Sequence, residues 1–179
     1  MTINLHYVDE VIAVRRQLHG GGRGAPPVVI HQIRAGASLN RSCVVLLSAL
    51  LQTFVEKVFE SEVKYVFPSL SADPQWQSYW NQMHRWGNPS DGNIKNLFLK
   101  IGIVDVLTGL SWQRTNTAKI KENLKLLNEI RNQIAHGDQQ LKFSGQPYSL
   151  TLAEVVRLRN FVENFGMRFE AHVQSYRKP

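Results

Sequence analysis

The sequence predicts an all-α fold, a bundle of four or five helices with short additional ones, and three observations carry that expectation. Apolar residues recur at three- and four-residue spacing through long stretches of the chain. No stretch shows the strict alternation of a half-buried strand. Proline and glycine gather in a few tracts that separate the periodic stretches instead of interrupting them. A chain of 179 residues can bury a substantial single core. The expected organisation is an N-terminal helical segment and Gly/Pro-rich connector over residues 1–27, then one helical domain over residues 28–179.

Taken in order, Leu5, Val8, Ile12 and Leu18 have loosely helical spacing. The tract from Gly20 to Pro27 lacks the Gly-Lys-Ser/Thr ending of a phosphate-binding loop and reads as a connector. Its two prolines mark where the next helix begins. From Val28 to Val66 there is no proline and one glycine, Gly36, expected to divide a short helical piece from a long one. In the long piece Val44, Leu47, Leu51, Phe54 and Val58 form a core stripe that Leu46 and Leu50 widen. Between Phe67 and Asn93 the aromatics Trp76, Tyr79, Trp80 and Trp86 lie among prolines, His84 and Arg85. Two uses fit them: stacking on unpaired bases, or anchoring a short helix on the bundle. Ile94, Leu97, Phe98 and Ile101 predict a short helix over 93–101. Residues 118–136 predict a helix stopped by Gly137. Thr151-Leu152-Ala153-Glu154 is a capping box, opening a last helix whose core stripe is Val155, Leu158, Phe161/Val162, Phe165, Phe169 and Val173.

Composition narrows the function classes. Hydrophobic residues are 43% and charged residues 20% of the chain, a globular balance rather than a disordered one. Lys and Arg exceed Asp and Glu by 21 − 14 = 7, which suits a polyanion such as RNA. The single cysteine, Cys43, cannot form an internal disulfide and sits in an apolar run. It reads as a small buried hydrophobe in a reducing, cytoplasmic protein. Residues 1–19 carry Asp9, Glu10, Arg15 and Arg16 where a signal peptide would be apolar. The run Cys43–Leu51 is far short of a membrane span, so no membrane association is expected. His6, His19, His31, His84, His136 and His172 are scattered without HExxH, HxH or a cysteine pair, so neither metal nor cofactor is expected. No nucleophile elbow is present.

The chemistry concentrates in Arg131-Asn132-Gln133-Ile134-Ala135-His136-Gly137. Arginine is a permanent cation that grips phosphate with paired hydrogen bonds. Histidine passes protons near neutral pH. On a helix, Ile120, Leu124, Leu127, Ile130 and Ile134 form one stripe, and Arg131 falls within its angular range. A guanidinium there requires a carboxylate, a backbone acceptor, or a place on a groove floor or interface. Asn128, Asn132 and His136 share the flank. The plainer alternatives are that His136 complements the helix dipole and that Arg131 belongs to a structural ion pair. The basic residues Arg157, Arg159, Arg168, Arg177 and Lys178 near the C-terminus either steer RNA, Arg157 and Arg159 foremost, or form a solvated face.

Arg131 to His136 resembles the Arg-x(4–6)-His motif of the HEPN superfamily. The segment Leu39–Leu47 leading to Phe54-Val55-Glu56 also resembles the early core helix of prokaryotic HEPN domains, the RiboL-PSP-HEPN group and a neighbouring group among them. Asn93–Phe98, Ile101–Ile103 and Ser111-Trp112 add to the likeness, which spans roughly Val28 to Val173. The resemblance implies a metal-independent endoribonuclease, often a toxin or defence effector, acting on RNA as a homodimer whose two motifs face each other. An antitoxin or defence-system protein is then an expected partner. It makes Arg131 and His136 the catalytic pair, with Asn132, and Asn128 beside it, shaping the site. In the toxin branch modified by a nucleotidyltransferase a tyrosine follows the histidine two residues later; Asp138 stands here. The rival expectations are a non-catalytic HEPN module binding nucleotide or RNA, and a helical dimerisation or interaction domain.

Overall fold

A computed structural model describes residues 1–18, 26–30 and 33–177. Most of the expected connector, together with His19, His31 and Lys178, lies outside the described residues. Among the described residues, seven helices and two small hairpins follow in the order α1 (His6–Leu18), β1 (Val28–Ile30), β2 (Ile33–Arg34), α2 (Ala37–Val66), α3 (Pro68–Ser71), α4 (Trp76–Met83), α5 (Asp91–Leu99), α6 (Thr117–Ala135), β3 (Lys142–Phe143), β4 (Gln146–Pro147) and α7 (Leu152–Gln174). The fold is all-α, as the spacing predicts.

The central element is α2, which packs against α1, α6 and α7. Val44, Leu47, Leu51, Val55, Val58 and Phe59 along it are fully buried. This helix is long and apolar enough to cross a membrane, but that apolar face is the centre of the bundle. The stripes of α6 and α7 close over it: Ile120, Leu124, Leu127 and Ile130 from one, and Val155 to Val173 from the other, are buried. Leu5, Val8 and Ile12 place α1 in the same core. Cys43 is 1% exposed, and burial pushes its thiol up to about 11, the behaviour of a packed hydrophobe and not of a nucleophile.

Local signals set the helix ends. Ser90, Asn116 and Thr151 each accept a hydrogen bond from the backbone N–H three residues on, capping α5, α6 and α7. Trp80 stacks on Trp76 and Phe59, with centroids 5.7 and 6.0 Å apart, and Trp86 Nε1 donates to Glu56 at 2.8 Å. Of the two uses for these aromatics, Trp76, Trp80 and Trp86 therefore serve as anchors; Tyr79 alone faces out, at 44% exposure.

One expectation is corrected. Val28–Ile30 and Ile33–Arg34 pair as antiparallel strands where a short helical piece was expected. Val28, Val29 and Ile30 are β-branched and follow two prolines, both of which favour extended backbone. The second hairpin, β3–β4, turns through Ser144 at φ 49° and Gly145 at φ 81°. Two positive φ values make a two-residue turn whose twist matches its strands. Strands this short have too few residues to show alternation.

His172 packs edge-on against Tyr176, with Nε2 buried and unpartnered. Burial lowers its pKa against the opposing pull of the Val106 and Thr108 backbone. The unfolded chain then binds the extra proton first. Stability is complete above about pH 6.5 and declines as pH falls through the depressed folded value. Thermal melts of wild type from pH 7.5 to 5 should show this decline, and His172→Gln should flatten it. Equal slopes in the two proteins would refute the assignment.

Candidate functional site

The end of α6 is fixed by backbone chemistry. Gly137 adopts φ 81°, and no atom lies within 4 Å of where its Cβ would stand, so its conformation, not space, selects glycine. Gly137 N donates to Ile134 O at 3.1 Å and Asp138 N to Gln133 O at 3.0 Å, the paired bonds of a Schellman terminus. His136 is thereby held as the last residue of the helical path, with its N–H on Asn132 O at 3.0 Å and its side chain exposed.

Side chains brace the segment on either side. The Gln133 amide donates to Lys142 O and accepts from Lys142 N, both at 2.7 Å, so it pairs with β3 as a neighbouring strand would. Arg41 on α2 donates to Asp138 O at 2.6 Å and Gln139 O at 2.7 Å. The chain leaving the motif is therefore clamped to both α2 and β3.

Arg131 is half-buried, and its Nη1 donates to Asn132 Oδ1 at 3.2 Å. That same oxygen accepts from Asn88 Nδ2 at 2.6 Å, and Asn88 O accepts from Asn93 Nδ2 at 2.8 Å on α5. Gly87 makes room for this relay, since a Cβ there would stand 2.7 Å from Asn93 Nδ2. Among the described residues Arg131 has neither a carboxylate nor a backbone acceptor. Asn128 Oδ1 is buried without a partner, an arrangement that costs about 1–3 kcal/mol and does not serve stability.

The structure joins Arg131 to Asn132 but, among the described residues, makes no hydrogen bond between Arg131 and His136. Five residues on a helix place two side chains about 140° apart around the axis. Within one chain the arginine and histidine do not close on each other.

Arg157 and Arg159 of α7 each pair with a carboxylate. Arg157 bonds Glu154 at 2.9 Å and Asn123 Oδ1 at 2.7 Å. Arg159 holds Asp9 at 2.8 Å and also pairs with Glu163, tying α7 to α1. Arg177, just past α7, grips the buried Glu62 at 2.9 Å. Arg157 and Arg159 thus have structural duties, and neither bonds Arg131 or His136. Asn88 and Arg41 are the residues sequence reading missed. The Asn88-Pro89-Ser90 approach to a helix cap was a local signal for the first, whereas Arg41 acts across 97 residues of sequence and left none. Among the described residues no three His, Cys, Asp or Glu side chains group as metal ligands would.

A long central helix, a closing helix pair and an Arg-x4-His motif ending one of them define a HEPN-type helical domain. The chain belongs to the RiboL-PSP-HEPN family, whose model matches residues 29–174. The match takes in α2 to α7 with the motif and leaves α1 outside. No curated protein and no solved structure matches the chain.

Proposed function

We propose that this protein is a metal-independent endoribonuclease whose working site forms where the α6 ends of two copies meet. The observation that carries the reading is Arg131: a half-buried guanidinium without a carboxylate among the described residues, oriented by Asn132 and Asn88, five residues before an exposed imidazole. In this reading a neutral His136 takes the proton of an RNA 2′-OH, and the 2′-oxygen attacks the adjacent phosphorus. Arg131 holds the charge that develops on the phosphorane oxygens. The P–O5′ bond then breaks, and a protonated imidazole supplies a proton to the departing 5′-oxygen. Each chain has one histidine at the motif, so a base and an acid acting together call for two copies. RNA cleavage in the cytoplasm has to be restrained, which fits a toxin or defence effector held by a partner protein.

The test is product chemistry. Purified protein with RNA in excess EDTA should yield 2′,3′-cyclic phosphate and 5′-OH ends. Cleavage abolished by the chelator, or 3′-OH ends, would remove this mechanism.

A further inference from the structure

A cavity of about 1050 Å³ opens beside the motif, where the ends of α1, α2 and α7 converge on the segment that follows His136. Its volume is ample for a nucleotide. Arg15, Arg34 and Arg41 line it, and no Asp or Glu does among the described residues. None of the three arginines pairs with a carboxylate among the described residues. Arg34 donates to Pro26 O at 3.0 Å, and Arg41 donates to the carbonyls already described.

Arg15 is the unusual member. It is only 5% exposed, and its Nε is buried without a hydrogen-bond partner. The fold makes room for it, because a Cβ on Gly36 would come within 2.3 Å of Arg15 Cδ and Nε. A buried guanidinium nitrogen left without an acceptor is costly, and an anion in the cavity would supply one. Asn40 shows the complementary vacancy. It is 4% exposed, its Nδ2 donates to Leu150 O at 2.9 Å, and its Oδ1 is buried with no donor. That oxygen suits a hydroxyl such as a ribose carries. Two helix N-termini complete the wall. Ala37 and Ser38 open the 30-residue α2, which has no side-chain cap, and Leu152 and Ala153 open the 23-residue α7. Both ends turn positive potential toward an anion, although at α7 the Thr151 hydroxyl already takes the Glu154 N–H.

We propose that this cavity is a nucleotide-phosphate site, distinct from the Arg131/His136 motif and joined to it through Arg41 and the Gly137–Gln139 segment. The phosphate chemistry is common to a free mononucleotide and to the backbone of an RNA lying across the motif; only the RNA source rests on the endoribonuclease reading. Two probes separate the sources: AMP, and a 2′-O-methyl RNA hexamer without terminal phosphates, which presents internal phosphodiesters and resists cleavage. Binding would be measured by titration calorimetry on wild type, Ser38→Glu and Arg41→Gln. Ser38→Glu sets a carboxylate in the cavity at a first-turn position that the helix dipole favours, so it keeps the fold, and thermal melts verify this for both variants. At least one probe should bind wild type, and each variant should weaken it by about tenfold or more, as expected for a lost or opposed charge-assisted contact. Binding of AMP identifies a free nucleotide as a ligand; binding of the hexamer alone identifies the RNA backbone. AMP binding that both variants abolish sustains the site even where wild type cuts no RNA. The absence of binding by both probes, or binding unchanged in both folded variants, would overturn the proposal.

Discussion

His136→Ala and Arg131→Ala should each lower RNA cleavage by about 10²–10⁴-fold, the usual contribution of a positioned proton-transfer or oxyanion-stabilising group. The fold should barely notice the histidine change. His136 is exposed, and the helix terminus it occupies is closed by backbone bonds from Gly137 and Asp138, not by the imidazole. A surface change of this kind stays within about 0.5 kcal/mol. Arg131→Lys sharpens the test, since it keeps the charge and discards the planar fork that reaches a phosphate with two bonds. It should recover only part of the lost activity. A shared site also has a signature in mixtures. When wild type and His136→Ala chains pair at random in equal amounts, about a quarter of the dimers are fully wild type by symmetry. Cleavage should follow that quarter and not the half expected of independent sites. Variants that melt early yet cleave normally would return His136 to the role of a cap and Arg131 to that of packing.

What was legible in the chain beforehand divides along a physical line. Helices with a repeating apolar face announce themselves, and α2, α5, α6 and α7 follow their stripes closely. The Thr151–Glu154 box marks the start of α7 to the residue, because a cap is a bond between near neighbours. The motif was equally visible, being contiguous. The strands were not, since two- and three-residue ladders carry no period, and the β-branched run at Val28–Ile30 fits either state until its flanking prolines are weighed. Long-range partners were invisible for a different reason. Nothing local to Arg157 or Arg159 says that the first also reaches Asn123 or that the second is held by Asp9. Nothing near Arg15 says that its guanidinium ends beside Gly36. Basic residues on an apparent solvent face were the least readable part of the candidate site, because their availability depends on carboxylates brought from elsewhere by the fold.

Phe98→Ala should be among the most destabilising single changes, at about 3–5 kcal/mol, lowering the midpoint of thermal unfolding on the order of 10–15 °C for a chain of this size. The ring is fully buried and meets two others edge-on: Phe59 of α2 at 5.4 Å and Phe169 of α7 at 5.5 Å. It is therefore the wedge by which the nine-residue α5 is held in a bundle of much longer helices. A helix so short has little stability of its own, and a void in place of the ring removes its main attachment. The consequence reaches the motif, because Asn93 on the same short helix holds Asn88, and Asn88 holds Asn132. Phe98→Ala should accordingly lose cleavage below its melting temperature, while Phe98→Leu, which refills most of the space, restores both stability and activity. An Asn88→Ala protein would separate the two effects: it removes the polar relay and leaves the wedge, so its melting should stay near wild type while cleavage falls. If Phe98→Ala instead cleaves at the wild-type rate while it remains folded, Asn132 is oriented by α6 alone, and the relay from α5 is packing without consequence for the chemistry.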